Sequence, residues 1–564
     1  MRAVPPRADT LLVAAHLAHA HAADSVSALG GALGNADADL VSTVLDAASR
    51  FAEDVLVPLN DSMDRHGVGI VDGRVRTAPG HREAWAQLVE GGWTTLEQPE
   101  DFGGQGLPLA LGLAVQETFD RACPAFGMLV VLQRAASRLV HAWGDEATCK
   151  AYLPGMIAGT IGATICISEP GAGSDVAQLR TRATQDVEGT WRVTGTKCWI
   201  SYGDHDLTDR IVHCVLARTG GDESKPEIGL FLVEGGDAQG ASVATLRVEE
   251  KLGLHGSPTC VMAFDNARAT LLGDPARGLG QMFVMITQMR LAVGAMGLGI
   301  ASAATDTALA YALDRRQGGR PGTPLPIAAH VDVRRQLTEM IARTELLRGL
   351  LLACANHVDI AENADDPIQQ AHSASLLQFL LPITKTLGAD AAFLNGNGAI
   401  QVLGGAGYTR EWPVEQAVRD ARVLSIFEGT TGIQALDMVH RRIRGNSVGF
   451  RAFLSAARAL ENDELEPCLV HLEAAADFVA ATQRPIADVD AGACAFLDLA
   501  TLAVTGWIAA RALDPTETIP TRMRIAARYA LADIGDRASA LDALVKAGSG
   551  RLATHGELSA ISIG

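Results

Sequence analysis

The chain has 564 residues, a formal charge of −18, 48% hydrophobic residues and 20% charged residues. That length implies several domains with large cores, and the acidic balance argues against nucleic acid as a main partner, because phosphate binding needs clustered cations. The nine cysteines form no CxxC pair and no Cys/His cluster has zinc spacing, so no metal is expected and the thiols read as reduced packing residues of a cytoplasmic protein.

Residues 1–36 begin with Arg2 and Arg7 ahead of Leu11-Leu12-Val13-Ala14-Ala15, a loose imitation of a signal peptide. Three histidines in the same stretch favour a helical or loosely ordered arm instead. Residues 37–160 read as a helical domain: Val41, Val44, Leu45, Ala48, Phe51, Val55 and Leu56 recur at i, i+3, i+4 spacing, and helical patterns continue through 81–92, 108–122 and 127–157. Gly103-Gly104-Gln105-Gly106 interrupts them. Residues 161–279 change to short β-branched or alternating runs, Trp191 to Thr196, Ile211 to Ala217, Gly229 to Val233 and Thr259 to Phe264, a β-domain signature. From 280 to 445 helical periods return, over 328–357 and 370–394. Gly445-Asn446-Ser447 breaks the pattern, and 446–564 reads as an extra domain of at least three helices. The most apolar stretch, Leu291 to Ala304, is too short for a membrane span.

Three local patterns carry chemistry. Ser168-Glu169-Pro170-Gly171-Ala172-Gly173-Ser174-Asp175 is an irregular loop presenting hydroxyls and backbone N–H groups, suited to a polar or ring-carbonyl ligand or simply a turn. It is not a GxGxxG or P-loop pattern. In Gly195-Thr196-Lys197-Cys198-Trp199-Ile200-Ser201 an aromatic either faces a flat ligand or packs in a hairpin core. Glu428 lies between the apolar run Val423-Leu424-Ser425-Ile426-Phe427 and a Gly429-Thr430-Thr431 turn. Apolar neighbours raise a carboxylate's proton affinity, which suits a general base. The alternative is a glutamate that starts a helix.

In order along the chain, these three patterns, Gln401-Val402-Leu403-Gly404-Gly405 and Arg419-Asp420-Ala421-Arg422 resemble the acyl-CoA dehydrogenase family over roughly residues 38–445. Phe102-Gly103-Gly104-Gln105-Gly106, Ser201-Tyr202-Gly203-Asp204-His205-Asp206, Lys251-Leu252-Gly253-Leu254-His255-Gly256 and His330-Val331-Asp332-Val333-Arg334-Arg335 resemble its longer subgroup, which carries a C-terminal helical addition and includes 3-methylthiopropionyl-CoA and broad-specificity fatty acyl-CoA dehydrogenases. The resemblance implies an α+β fold: N-terminal helices, a central β-barrel-like domain, a C-terminal helical bundle and the additional helical domain.

It also implies FAD as cofactor. By resemblance Ser168, Gly173, Ser174, Trp199 and Ser201 hold the flavin, Arg315 and Gln317 reach the pyrophosphate of a neighbouring subunit's FAD, and Gln401, Gly404 and Gly405 approach its adenosine part. Thr430 and Thr431 also face FAD, while Ser174, Arg290, Phe427 and Gly429 are placed at the acyl-CoA. Glu428 takes the catalytic base's position; the place used for the base in other branches is Met289, which accepts no proton. The implied reaction removes the thioester α-proton to Glu428 and the β-hydride to flavin N5, with the thioester carbonyl polarised by hydrogen bonds. A homodimer or larger assembly and an electron-transferring flavoprotein acceptor follow from the same resemblance. Three departures stand out: Gly318-Gly319 replaces Phe-Gly, Gln178 replaces a small residue, and Gly432 replaces a polar one. The same fold serves acyl-CoA oxidases, flavin monooxygenases and a DNA-alkylation-response branch with a basic C-terminal domain. Residues 445–564 carry ten Lys/Arg against fifteen Asp/Glu, which disfavours that last branch.

Overall fold

The computed structural model describes residues 3–34, 36–221, 226–236, 242–513 and 519–552. The chain divides into two compact units, Asp39–Ala292 and Met1–Ala38 with Val293–Gly564.

The helical run expected from Val41 to Leu56 starts at Ala38 and continues to His66. Its one irregularity, a π-turn over Ala52–Leu56, lies just before Pro58. Proline supplies no N–H to the i−4 ladder, and the preceding turn widens so that Val57 N–H reaches Ala52 O. Every residue of helix Leu109–Ala122 is buried. The pattern over 127–157 proves to be two helices, Pro124–Trp143 and Glu146–Ile157, because Asp145 caps the second by accepting from Thr148 N at 2.8 Å.

The β region closes on itself. Strands Arg210–Gly221, Arg182–Gln185, Trp191–Ser201, Thr259–Leu272 and Pro226–Gly236 pair successively, and the last pairs back to the first. Closure removes the exposed sheet edges of those strands. Val193, Ile200, Val215, Phe231, Val233, Met262 and Phe264 fill the interior. Ile161–Cys166 joins outside the ring, parallel to Arg210–Gly221, and Val243–Val248 pairs with Thr259–Leu272. Hairpin Gly69–Val71/Arg74–Arg76 is anchored by Asp204, which accepts from Arg74 Nε and Val75 N at 2.8 Å each.

The second unit is helical. Helices Val331–Asn363 and Pro367–Leu403 are longer than the patterns over 328–357 and 370–394 suggested. A Cβ on Gly297 would meet Gly388 O at 2.2 Å, so helices Phe283–Asp314 and Pro367–Leu403 cross at backbone contact. Beyond Gly445 five more helices follow among the described residues, Val448–Arg458, Glu466–Ala480, Ile486–Ala512, Thr521–Leu531 and Ile534–Lys546. Residues 10–24 form a helix capped by Asp9 whose Leu12, Val13, His16, Leu17 and Ala20 are buried. The expected membrane-span length needs correction. Leu291 to Ala304 is only part of Val284–Asp314, which, like Ile486–Ala512, is long and apolar enough to cross a membrane. Of their most apolar windows, 67% and 72% are buried within the protein, so helix packing already uses most of that surface.

Glu345 ties the second unit together. Its carboxylate pairs with Arg348 on its own helix, with His16 Nε2 at 2.9 Å from the N-terminal helix, and with Arg522 Nη2 at 2.9 Å from Thr521–Leu531. Arg522 also reaches Asp306 Oδ1 at 2.6 Å. Burial pushes the Glu345 pKa up, but Arg348, His16 and Arg522 outweigh it and bring it down from 4.5 to about 2. A carboxylate whose folded pKa is depressed contributes stability above its unfolded pKa and loses it as pH falls. Between pH 4.5 and 2 this group accounts for roughly 3 kcal/mol. Glu345→Gln is therefore expected to lower the urea midpoint at neutral pH and to flatten its fall over that acid interval, as read from urea melts at stepped pH.

Candidate active site

In the Asp39–Ala292 unit, the loop after strand Ile161–Cys166 and the end of strand Trp191–Ser201 are locked together from beneath. Lys197, fully buried, donates to Glu169 Oε1 at 2.8 Å and to Ile167 O at 2.9 Å. Glu169 also accepts from Arg180 N at 2.5 Å and Thr181 N at 3.0 Å. Burial pushes the Glu169 pKa up, yet Lys197 and these N–H donors carry it below the usual value. Cys198 N donates to Ser168 O at 2.9 Å, which fixes Ser168 beside the strand. Thr164 Oγ1 donates to Ser201 O at 2.8 Å.

Above this lock the strand bulges between Lys197 and Ile200, and Trp199 takes a left-handed conformation with φ of 62°. Its side chain is 60% exposed, so the hairpin-core alternative is excluded. Gly173 and Ser174 are exposed at the loop tip, and nothing lies within 4 Å of the point where a Cβ on Gly173 would sit. Strain spent on turning an aromatic outward, beside serine hydroxyls and open glycine backbone, fits a planar ligand with a polar edge. Arg290 is partly buried on helix Phe283–Asp314, next to Met289, which is 1% exposed and has no ionisable group.

In the second unit, Glu428 and Gly429 are consecutive left-handed residues with φ of 55° and 87°. Glu428 is partly buried and precedes helix Thr431–Asp437, whose N-cap is Thr430, accepting from Ile433 N at 3.3 Å. Glu428 thus lies two residues before the N-cap and outside the first turn of that helix. Gln434 Nε2 donates to Glu428 O at 3.1 Å, and Lys385 Nζ donates to Gly429 O at 2.8 Å. Gly429's φ of 87° is a conformation that side chains avoid, which favours glycine there, and a Cβ would also have to displace Gln434 Nε2, 2.8 Å away. Phe427 and Thr431 are partly buried in the same segment.

Arg315, Gln317, Gln401, Gly404 and Gly405 are all exposed. Arg315 follows the end of helix Phe283–Asp314, and Gln317 lies on hairpin Arg316–Arg320/Thr323–Pro326. The Gly318-Gly319 departure has a local cause: both residues are left-handed, and a Cβ on Gly318 would meet the His330 ring at 2.8 Å. That ring hydrogen-bonds Gln317 O at 2.8 Å. Gln401, Gly404 and Gly405 end helix Pro367–Leu403, with Gly404 at φ of 63°.

The acyl-CoA dehydrogenase N-terminal, middle and C-terminal domain profiles match residues 41–160, 164–267 and 276–443. The chain belongs to the acyl-CoA dehydrogenase family. The 3-methylmercaptopropionyl-CoA dehydrogenase of Ruegeria pomeroyi is 37% identical over 438 residues, 75% of this chain and 74% of that protein. The broad-specificity linear acyl-CoA dehydrogenase FadE5 of Mycobacterium tuberculosis is 32% identical over 444 residues, 74% and 72% of the two chains. An acyl-CoA dehydrogenase from Bacillus anthracis, solved in complex with FAD, shares the fold at a TM-score of 0.75 and 21% identity, covering 90% of this chain and 88% of that one. The chain is thus an oxidoreductase of the acyl-CoA dehydrogenase family, with N-terminal helices, a middle β domain and C-terminal helices.

Sequence reasoning assigned no role to Lys385, Gln434 or the Lys197–Glu169 pair. Lys385 could have been flagged as a lone cation after the apolar run Leu380-Leu381-Pro382-Ile383, whereas Gln434 carries no signal without the fold. A side chain in the left-handed region costs roughly 1 kcal/mol. Glu428→Gly is accordingly expected to raise stability by about 0.5–1 kcal/mol, seen as a higher urea midpoint with unchanged slope.

Proposed function

We propose that this protein catalyses FAD-dependent α,β-dehydrogenation of an acyl-CoA thioester to the trans-2-enoyl-CoA, with Glu428 as the base. The supporting observation is the strained, hydrogen-bonded turn at Glu428 and Gly429, together with an apolar, buried Met289 at the other position where an acid would serve. Strain held in place by surrounding structure is a feature of functional sites.

The residues present fit the cofactor. Trp199, exposed on its bulge, offers a face to the flavin ring; Ser168, Gly173, Ser174 and Ser201 offer hydroxyls and open backbone to the ring's polar edge. Arg315, Gln317, Gln401, Gly404, Gly405, Thr430 and Thr431 would hold the remainder, the exposed arginine suiting a pyrophosphate. When bound, FAD supplies the acceptor for the β-hydride.

The chain's own residues perform the proton chemistry. Glu428 accepts the α-proton through its carboxylate. The backbone N–H of Glu428 donates to the thioester carbonyl, stabilising charge that develops on oxygen as the proton leaves. Phe427 and Gly429 line the acyl thioester, and Arg290 and Ser174 serve the CoA portion. We assign the protein to the cytoplasm as a homodimer or larger assembly, passing its electrons to an electron-transferring flavoprotein.

Glu428→Gln is expected to keep bound yellow flavin while slowing its anaerobic bleaching by acyl-CoA on the order of 10³-fold. Bleaching at the wild-type rate would remove Glu428 from the role. The same stopped-flow assay run over short, long, branched and thioether acyl-CoAs identifies the preferred chain, and an oxygen-electrode trace distinguishes a dehydrogenase from an oxidase.

A further inference from the structure

We infer that Lys385 is a positioning residue for Glu428: from the buried side of the turn its ammonium holds the Gly429 carbonyl and, with Gln434, keeps the base in its left-handed conformation. This rests on Glu428 being the base. Lys385 lies inside helix Pro367–Leu403, is fully buried, and donates to Gly429 O at 2.8 Å. The Gln434 amide donates to the two carbonyls of the same dipeptide, at 3.1 Å to Glu428 and 3.4 Å to Gly429. Two donors from two different helices therefore converge on one strained dipeptide.

Three physical points favour a positioning role over ordinary helix packing. Taking an ammonium out of water is expensive, and a neutral amide could make a carbonyl bond at far lower desolvation cost. A charge-assisted bond is shorter and stronger than a neutral one, which suits a carbonyl that must not move. The bond also goes to Gly429, the residue whose φ of 87° is inseparable from the φ of 55° at Glu428. Releasing the Gly429 carbonyl frees the Gly429–Thr430 peptide to rotate, which loosens the Gly429 conformation that Glu428 leans on and lets the Glu428 side chain swing with its Cα–Cβ bond. Displacing a reacting group by about 1 Å can cost on the order of a hundredfold in rate.

The test uses the full-length flavin-loaded protein carrying Lys385→Met or Gln434→Met, each of which deletes a donor while keeping an unbranched side chain of equal length or one atom shorter. Anaerobic flavin reduction at saturating acyl-CoA is expected to slow by about tenfold or more, with flavin content and the half-saturating acyl-CoA concentration unchanged. A second measurement reads the turn without turnover: the rise in urea midpoint produced by Glu428→Gly should vanish when Lys385→Met is also present, because a relaxed turn no longer strains a side chain. Wild-type reduction rates in both methionine variants would overturn the proposal. So would a rate loss accompanied by an undiminished midpoint rise. If Lys385→Met does not fold, Gln434→Met carries both measurements. Failure of the base assignment shows separately, as flavin reduction that survives Glu428→Gln, while the midpoint comparison still reports on the turn.

Discussion

A charge withdrawn from water has to be met at once by partners, and both units of this protein are organised around that requirement. In the β-containing unit, the buried Lys197 ammonium is met by Glu169 and Ile167 O, which binds an otherwise irregular loop to the strand beside it. In the helical unit, Glu345 is met by two arginines and a histidine drawn from three helices. Lys385 is met by a backbone carbonyl in the turn that carries Glu428. Buried pairs of this kind add little net stability over apolar packing, but losing one partner is costly. Their value here is geometric: each permits one arrangement of the segments it joins.

The geometry so enforced is strained where the chemistry is proposed. Trp199 and Glu428 both occupy the left-handed region that side chains avoid, and each is flanked by hydrogen bonds from residues with no chemistry of their own. A relaxed backbone would turn each Cα–Cβ bond, and so the indole and the carboxylate, in another direction. The lock beneath the bulge and the two donors at the turn oppose those outcomes. Gly429 shares that left-handed conformation, at φ of 87°, and there the chain uses the one residue that adopts it without strain.

The helices beyond Gly445 and the N-terminal helix are part of the same framework. Arg511 donates to Asp24 Oδ1 at 2.8 Å and Asn356 to Asp24 Oδ2 at 3.0 Å, so Asp24 repeats on a smaller scale what Glu345 does. Two helices apolar enough to raise a membrane question, Val284–Asp314 and Ile486–Ala512, have most of that apolar surface packed inside the protein. Length and composition cannot distinguish such a helix from a span, because both need the same apolar residues; the neighbours decide.

Much of this was legible in the order of residues. The change from helical to two-residue periodicity around Gly159 and back near Gly280 reports burial, which local pattern encodes directly. The Ser-Glu-Pro-Gly loop, the Trp-Ile-Ser strand and the Phe-Glu-Gly-Thr turn are contiguous, so their chemistry can be read within a few residues. Closure of the barrel, by contrast, depends on pairing Arg210–Gly221 with Pro226–Gly236 while the latter also pairs with Thr259–Leu272. The outward face of Trp199 depends on a bulge in register, and the hold on Glu428 on Lys385, 43 residues earlier. The pairing of His16 with Glu345 spans 329 positions. Nothing in a local window marks which distant side chain will share a buried space, because that is set by which elements pack together, and only the tertiary structure brings them into contact.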